Sequence, residues 1–322
     1  MAPKPQDESY SILGIGELLW DILPAGARLG GAPANFTAFC ARLGNHAQLV
    51  SRVGEDEYGR ASMEALAQFA SILEYIQVDH QHPTGTVNVT FLADRQPSYE
   101  ITEGVAWDYI HGTEALRSAF RKADAVCFGT LCQRSPVSRD AIRALVSETR
   151  DNCMRICDVN VRLPYCAEDV LRWSMKYATI IKVSDEELPF VLATTGLDET
   201  ADSPEDAAQV LLAAFPSARL IAITRGSQGC MLANRQTIAS HPGFPIRMVD
   251  PVGAGDAFTA GLTHAILHDA SLDQAAKIAN LCGSFVASQP TASPLLPPGF
   301  IAWVACELQG ENCEENPFLL PE

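Results

Sequence analysis

The chain is poor in positive charge. Its 322 residues hold 23 Lys and Arg against 39 Asp and Glu, a net of −16. Nucleic-acid binding without sequence preference relies on clustered Lys and Arg, so that class of function is disfavoured. A phosphate-bearing small ligand is not, because a local site can be positive inside a negative field. Long apolar runs are also missing: no stretch approaches the roughly 18 residues of a membrane span. Ten cysteines are present, but no Cys-x-x-Cys pair is, and no cysteine pair accompanies a His-x-x-x-His partner. That spacing matches neither a structural zinc site nor a disulfide framework, so free and mostly buried thiols are expected. Residues 1–11 lack a basic segment followed by an apolar core, so no secretory leader is expected and a cytoplasmic location is.

Hydrophobic residues make up 47% and charged residues 19%, a globular composition. The length suits about two domains or one large α/β domain. Short apolar runs expected as strands cover 10–15, 48–53, 124–128, 154–158, 177–183 and 220–224. Helical patterns cover 34–43, 58–71, 136–149, 186–194, 255–268 and 272–288. In the first of these, Phe36, Phe39, Cys40 and Leu43 fall at i, i+3, i+4 and i+7. Strands alternating with helices predict an α/β fold with a central, mostly parallel sheet and helices on both faces.

Two stretches break the alternation. Residues 18–29 are too long for a tight strand-to-helix turn. In 84–110, Val87, Val89 and Phe91 alternate with Asn88, Thr90 and Leu92, and Tyr99 and Ile101 with Glu100 and Thr102. A hairpin is expected around Asp94-Arg95-Gln96-Pro97. The expected organisation is a body of 1–17, 32–83 and 112–322, with a small β-sheet lid of 18–31 and 84–111. The tail after Gln289 is rich in proline, then ends in a short helical pattern.

Chemistry concentrates in Asp250-Pro-Val-Gly-Ala-Gly-Asp256. Gly253, Ala254 and Gly255 lead into an amphipathic helix, and small residues there let backbone N–H groups approach an anion. Asp256 on the same turn suits a group that orients an attacking hydroxyl and takes its proton as the bond to phosphorus forms. An ordinary helix-capping Asp fits the spacing too.

This segment resembles the second signature of the PfkB family of carbohydrate kinases, which have the ribokinase-like fold, a three-layer αβα sandwich with a β-lid. Gly30-Gly-Ala-Pro-Ala-Asn35 with Ala41-Arg-Leu-Gly44 resembles the first signature, and Gly54-Glu-Asp-Glu-Tyr-Gly59 its usual continuation. The likeness runs in order along almost the whole chain. It implies ATP-dependent phosphorylation of a sugar hydroxyl, with Asp256 as base. Gly16-Glu-Leu-Leu-Trp-Asp21 looks like the fructokinase branch, which implies fructose and fructose 6-phosphate.

By the same resemblance, Glu17, Asp21, Gly30, Gly31 and Asn35 bind the sugar. Asn35 offers both a donor and an acceptor, though a helix-start Asn also caps. Arg162, in Asp158-Val-Asn-Val-Arg162, reaches a transferring phosphate or forms a surface salt bridge. Asp158, Asn160 and Glu187 act on Mg²⁺ mainly through water. Lys182 and Ser184, with Ser184 replacing the family's usual Asn, belong to the nucleotide side. So do Thr224, Gly226 and Gly229, which also fit a plain hairpin loop, and Asn280, which also fits a helix surface. The loop at Asp250 and Val252 resembles a monovalent-cation site, implying K⁺. Trp107 is a candidate for stacking on the sugar or for filling the seam between lid and body. Arg95 in the hairpin faces a sugar or nothing. A homodimer through the lid is expected.

Three other readings compete. A kinase for ribose, 2-keto-3-deoxygluconate or adenosine differs only in lid contacts. A dinucleotide-binding dehydrogenase fits Gly14 and Gly16, but the third glycine of its fingerprint falls at Leu19. A non-catalytic sugar-binding regulator predicts loss of the base or the glycines, and both are intact.

Overall fold

Nearly continuous apolar strands separated by helices bury both faces of a sheet, and this chain does so. The computed structural model describes residues 9–24, 26–91, 97–197, 201 and 203–311, without the side chains of 70–71 and 89–99. Its first half runs β1 (Ser11–Ile15), β2 (Leu19–Leu23), β3 (Gly26–Gly30), α1 (Ala32–Arg42), β4 (His46–Gly54), α2 (Glu57–Leu66), β5 (Ile76–Asp79), β6 (Gly85–Phe91), β7 (Pro97–Ile101), α3 (Glu114–Lys122), β8 (Ala125–Phe128) and α4 (Pro136–Ser147). The second half runs β9 (Met154–Asp158), α5 (Glu168–Tyr177), β10 (Ile180–Ser184), α6 (Leu188–Thr195), α7 (Pro204–Ala214), β11 (Leu220–Thr224), β12 (Cys230–Ala233), β13 (Ile238–His241), α8 (Ala254–Leu267), α9 (Leu272–Ala287) and α10 (Pro298–Gln309).

The large sheet has the order β13-β12-β11-β10-β9-β8-β1-β4-β5. It is parallel from β5 to β11, and β12 and β13 are antiparallel. Successive residues of each strand go to opposite cores. Leu13, Ile15, Val126, Phe128, Ile221 and Ile223 pack on the side of α3 to α7. Ile12, Ala125, Cys127, Leu220 and Ala222 pack against α1, α8, α9 and α10. The result is a three-layer αβα sandwich. From β1 the chain first builds outward through β4 and β5, then returns to β8 on the other side. The carboxyl ends of β1 and β8 therefore border the crevice where ligands bind in such sheets.

The lid is a separate four-stranded sheet, β3-β2-β6-β7. Leu19, Val87 and Ile101 share its inner face, and the indole of Trp20 on the other face donates to Ser62 Oγ at 2.9 Å. That bond seats the lid on α2. Of the turn expected around 94–97, Pro97 opens β7, and residues 94–96, Arg95 among them, lie outside the described residues. Trp107 fills the seam and not the sugar side: it is wholly buried beside Val105 and Ile110 in the core of the body. The nine described cysteines are free thiols, eight of them buried.

Several elements differ from the pattern reading. The helix expected over 58–71 ends at Leu66 and gives way to a 3₁₀ turn. The pattern reading does not include α3, α5 or α7; in α3 only Leu116 and Phe120 are buried, whereas α7 buries Ala207, Ala208, Leu211 and Leu212. Tyr177, expected at the start of a strand, closes α5, and β10 begins at Ile180.

Gly85 opens β6 against the indole of Trp107. A Cβ there would lie 2.2 Å from Nε1 and 2.6 Å from Cδ1. The buried ring has no room to retreat, so Gly85→Ala should cost about 1–3 kcal/mol. Thermal melts check this: the variant should melt several degrees lower, and an unchanged Tm would mean that the seam is loose.

Candidate active site

Two helix starts converge at the end of β1. After Ile15 the chain passes through Glu17 into the lid and returns at Gly31, which caps α1 with φ 108°. A Cβ on Gly31 would fall 2.4 Å from the Glu17 carbonyl oxygen, so only glycine lets α1 start so close to that strand end. On the first turn of α1, Asn35 Nδ2 donates to Asp256 Oδ2 at 2.8 Å. Asp256 stands in the first turn of α8, behind the left-handed Gly253 (φ 83°). The positive end of the α8 dipole faces the same point.

Between these helix starts and the lid lies a cavity of about 430 Å³. Leu19, Asp21, Val87 and Ile101 line it from the lid. Gly31, Asn35, Gly253, Gly255 and Asp256 line it from the helix starts. Asn160, Arg162 and Lys182 line it from the ends of β9 and β10, and Glu17 and Val252 also reach it. A second space of about 10 Å³, room for one water, lies against Glu17, Asp158 and Asp256.

Acidic groups dominate here. Burial, aided by the charge of Asp158, raises the Asp256 pKa to about 6 against the bond from Asn35 and the charges of Lys182 and Arg162. Asp256 keeps some surface on the cavity, but its carboxyl lies deep in the protein and burial is the larger cause. Glu17 is pushed up to about 7, again chiefly by burial, with Asp256 adding to it and Arg162 opposing. Its Oε2 is buried and has no hydrogen-bond partner. Burial also raises Asp21. Lys182 balances them. Burial pulls its pKa down, but Asp158, Glu187 and Asp256 outweigh that and hold it above its ordinary value. Its Nζ bonds Asp158 Oδ1 at 3.0 Å, and Thr259 donates to Oδ2 at 2.9 Å.

The expected nucleotide residues are more scattered. Ser184, Thr224, Gly226 and Gly229 sit at the ends of β10 and β11, away from the cavity wall. Gly229 is tight because a Cβ would meet the His241 carbonyl oxygen at 1.9 Å. Asn280 is neither on a helix surface nor on the cavity. It is buried, and its amide donates to Ala276 O at 2.7 Å and Cys230 Sγ at 3.0 Å.

The metal residues do not form a direct coordination set. Glu187 accepts from the N–H groups of Val161 (2.6 Å) and Ser184 (2.8 Å), one on each oxygen. Asp158 is taken up by Lys182 and Thr259. Among the described residues no three His, Cys, Asp or Glu converge on a metal position. The Asp250 carboxylate has a partner on each oxygen: Oδ2 pairs with Arg28 of β3 at 2.9 Å and Oδ1 accepts from the Val252 N–H. Arg28 carried no sequence signal, because the partner lies 222 residues away.

The profile of the pfkB family carbohydrate kinases matches residues 25–298. Fructokinase-1 of Oryza sativa is 30% identical over 315 residues, covering 90% of this chain and 95% of that protein. A sugar kinase of Pyrococcus horikoshii solved in complex with ATP is 28% identical, with a TM-score of 0.73 over 88% of this chain and 94% of that one. The fructokinase of Vibrio cholerae, solved with fructose, ADP and calcium, shares the fold at 24% identity, with a TM-score of 0.77 over 92% and 100%.

The state of Glu17 predicts a pH-dependent stability. Its folded pKa of about 7 lies above the ordinary 4.5, so the native state holds an extra proton between those values. Stability is greatest below the ordinary pKa and is lost as pH rises through about 7, by up to on the order of 3 kcal/mol. Glu17→Gln removes the charge and keeps the shape. Urea melts should find the variant more stable than the parent at pH 8 and nearly equal at pH 5. The reverse order would mean that the ionised carboxylate is favourably held.

Proposed function

The chain belongs to the pfkB family of carbohydrate kinases and is an ATP-dependent sugar kinase, and on that premise we propose that it phosphorylates fructose to fructose 6-phosphate. The observation that carries the reading is Asp256, held by Asn35 at the start of α8 and facing a cavity of small-molecule size. The likeness to plant fructokinases supports fructose as the acceptor.

A sugar hydroxyl is too weak an acid to lose its proton to a carboxylate in the ground state. Asp256 orients it, then accepts the proton while the new O–P bond forms and the bond between the γ-phosphorus and the ADP oxygen breaks. Its raised pKa makes it a better acceptor than an exposed Asp. Negative charge on the transferring group meets Arg162 and the N–H groups of Gly253, Gly255 and Asp256; the Ala254 N–H is already given to the Pro251 carbonyl at 3.1 Å. Lys182 serves the same field from behind: a Cβ on Gly255 would come within 3.2 Å of its Nζ, so the small residue keeps the ammonium close to the helix start. Glu17, Asp21 and Asn35 hold the sugar hydroxyls. The donor set does not fit direct ligation, so we place Mg²⁺ with the ATP phosphates, whose charge it neutralises. Closing the lid excludes water and limits ATP hydrolysis. β3 is an edge strand exposed from Gly26 to Arg28, and there we place contact with a second copy of the chain. Light scattering at micromolar concentration should give a dimer mass; a monomer mass rejects that placement.

The test is ADP release from Mg-ATP over fructose, ribose, glucose, tagatose, 2-keto-3-deoxygluconate and adenosine. Fructose should be the best acceptor; a different one would replace the substrate and keep the mechanism, and no turnover at all would favour a binding protein. Asp256→Asn should lower kcat by about a thousandfold while sugar binding survives. Near-normal kcat would remove Asp256 from the role of base. Because the base must be ionised, kcat/KM should fall as pH drops below about 6.

A further inference from the structure

One cluster outside the cavity, buried at Arg134 and Asp108 and half-buried at Tyr165, ties the lid to the body. Arg134 closes the 3₁₀ turn Leu131–Arg134 after β8. Its guanidinium grips Asp108 with two bonds, Nε to Oδ1 at 2.8 Å and Nη2 to Oδ2 at 2.9 Å, and both side chains are about 5% exposed. Nη2 also donates to the Thr102 carbonyl at 2.6 Å. The guanidinium plane lies over the rings of Trp107 (3.9 Å) and Tyr165 (4.9 Å). The Tyr165 hydroxyl donates to Glu103 Oε1 at 2.8 Å and to the Ile101 carbonyl at 3.5 Å. Arg134 and Tyr165 thus close on the same three residues, 101–103, where the last lid strand leaves the lid.

Both anchors stand next to the site. Leu131, at the other end of the Arg134 turn, lines the cavity, and so does Ile101. Tyr165 N–H donates to the Arg162 carbonyl at 2.8 Å, so the segment bearing Arg162 is fastened to the same strand. A buried ion pair adds little net stability over a well-packed apolar replacement, whereas a two-pronged Arg–carboxylate pair fixes geometry closely. We propose that Arg134, together with Tyr165, is a positioning clamp that sets the width of the sugar side of the cavity and thereby which acceptor fits between Ile101 and Leu131. Neither residue touches the reacting atoms. The inference rests on sugar-kinase activity but not on the identity of the sugar.

Steady-state kinetics of Arg134→Lys and Tyr165→Phe test the clamp. The readouts are KM and kcat for the best acceptor of the parent, KM for ATP, and the kcat/KM ratio between fructose and ribose. Arg134→Lys keeps the charge and loses the fork. It should raise the sugar KM about tenfold, leave the ATP KM within about twofold and weaken hexose–pentose discrimination. Tyr165→Phe keeps the ring under Arg134, so it should fold like the parent and raise the sugar KM several-fold. Variants that melt at lower temperature yet keep the parent's sugar KM and discrimination would overturn the clamp. If Arg134→Lys does not fold, an unchanged sugar KM in Tyr165→Phe overturns it alone. A parent that turns over no sugar would instead overturn the kinase function, and this inference with it; failure confined to the variants leaves that function standing.

Discussion

The architecture depends on keeping the Asp256 carboxyl inside the protein. A buried carboxylate is costly unless charge or hydrogen bonds compensate it. Here the charge of Asp158 makes the local balance worse. The compensation comes from separate parts of the chain: Asn35 from α1, the amino end of α8, Lys182 from β10 and Arg162 from the segment after β9. None of these is local to the others in sequence. Only the sandwich brings them to the same few ångströms, and so the parallel sheet and its two helix layers are prerequisites of the chemistry. Asp256 is left incompletely compensated, with a pKa of about 6, and that residual basicity suits the proton-accepting role we propose for it.

The second constraint is how the small sheet is attached to the body. It meets the body at two ends of different character. Trp20 rests on α2 through a bond to Ser62. The other end is sunk into the body, where Val105, Trp107 and Ile110 belong to the main core. The cavity lies between, with an apolar wall of Leu19, Val87 and Ile101 facing the polar floor. Arg28 of β3 pairs with Asp250 across the rim, but that pair is half-exposed and water screens it, so it contributes little to holding the lid.

Features whose physics is local were legible in the sequence. The small residues 253–255 before an amphipathic run announce the start of α8, and Gly30-Gly31 announces the tight start of α1. The period-two pattern over 87–91 and 99–101 announced the lid strands. Residues whose roles come from distant partners were not legible. Asn280 reads as a surface or adenine-side residue until Cys230, 50 positions earlier, is placed beside it. Glu187 reads as acting on Mg²⁺ through water, and the sequence does not show that its two oxygens hold the N–H groups of Val161 and Ser184. Arg134 and Asp108 gave no signal, since 26 residues, with α3 and β8 among them, separate the two.

The sequence by itself determined the α/β alternation, the inserted lid and the placement of an acid behind Gly-Ala-Gly, because strand period, helix-start chemistry and glycine's freedom act over a few residues. The tertiary structure alone decided that Glu17, Asp158 and Asp256 share one buried site, that Lys182 and Asn35 offset them, and that Trp107 serves the core and not the cavity. Burial, and the electrostatics that follow from it, are properties of where chain segments meet, and no single segment carries that information.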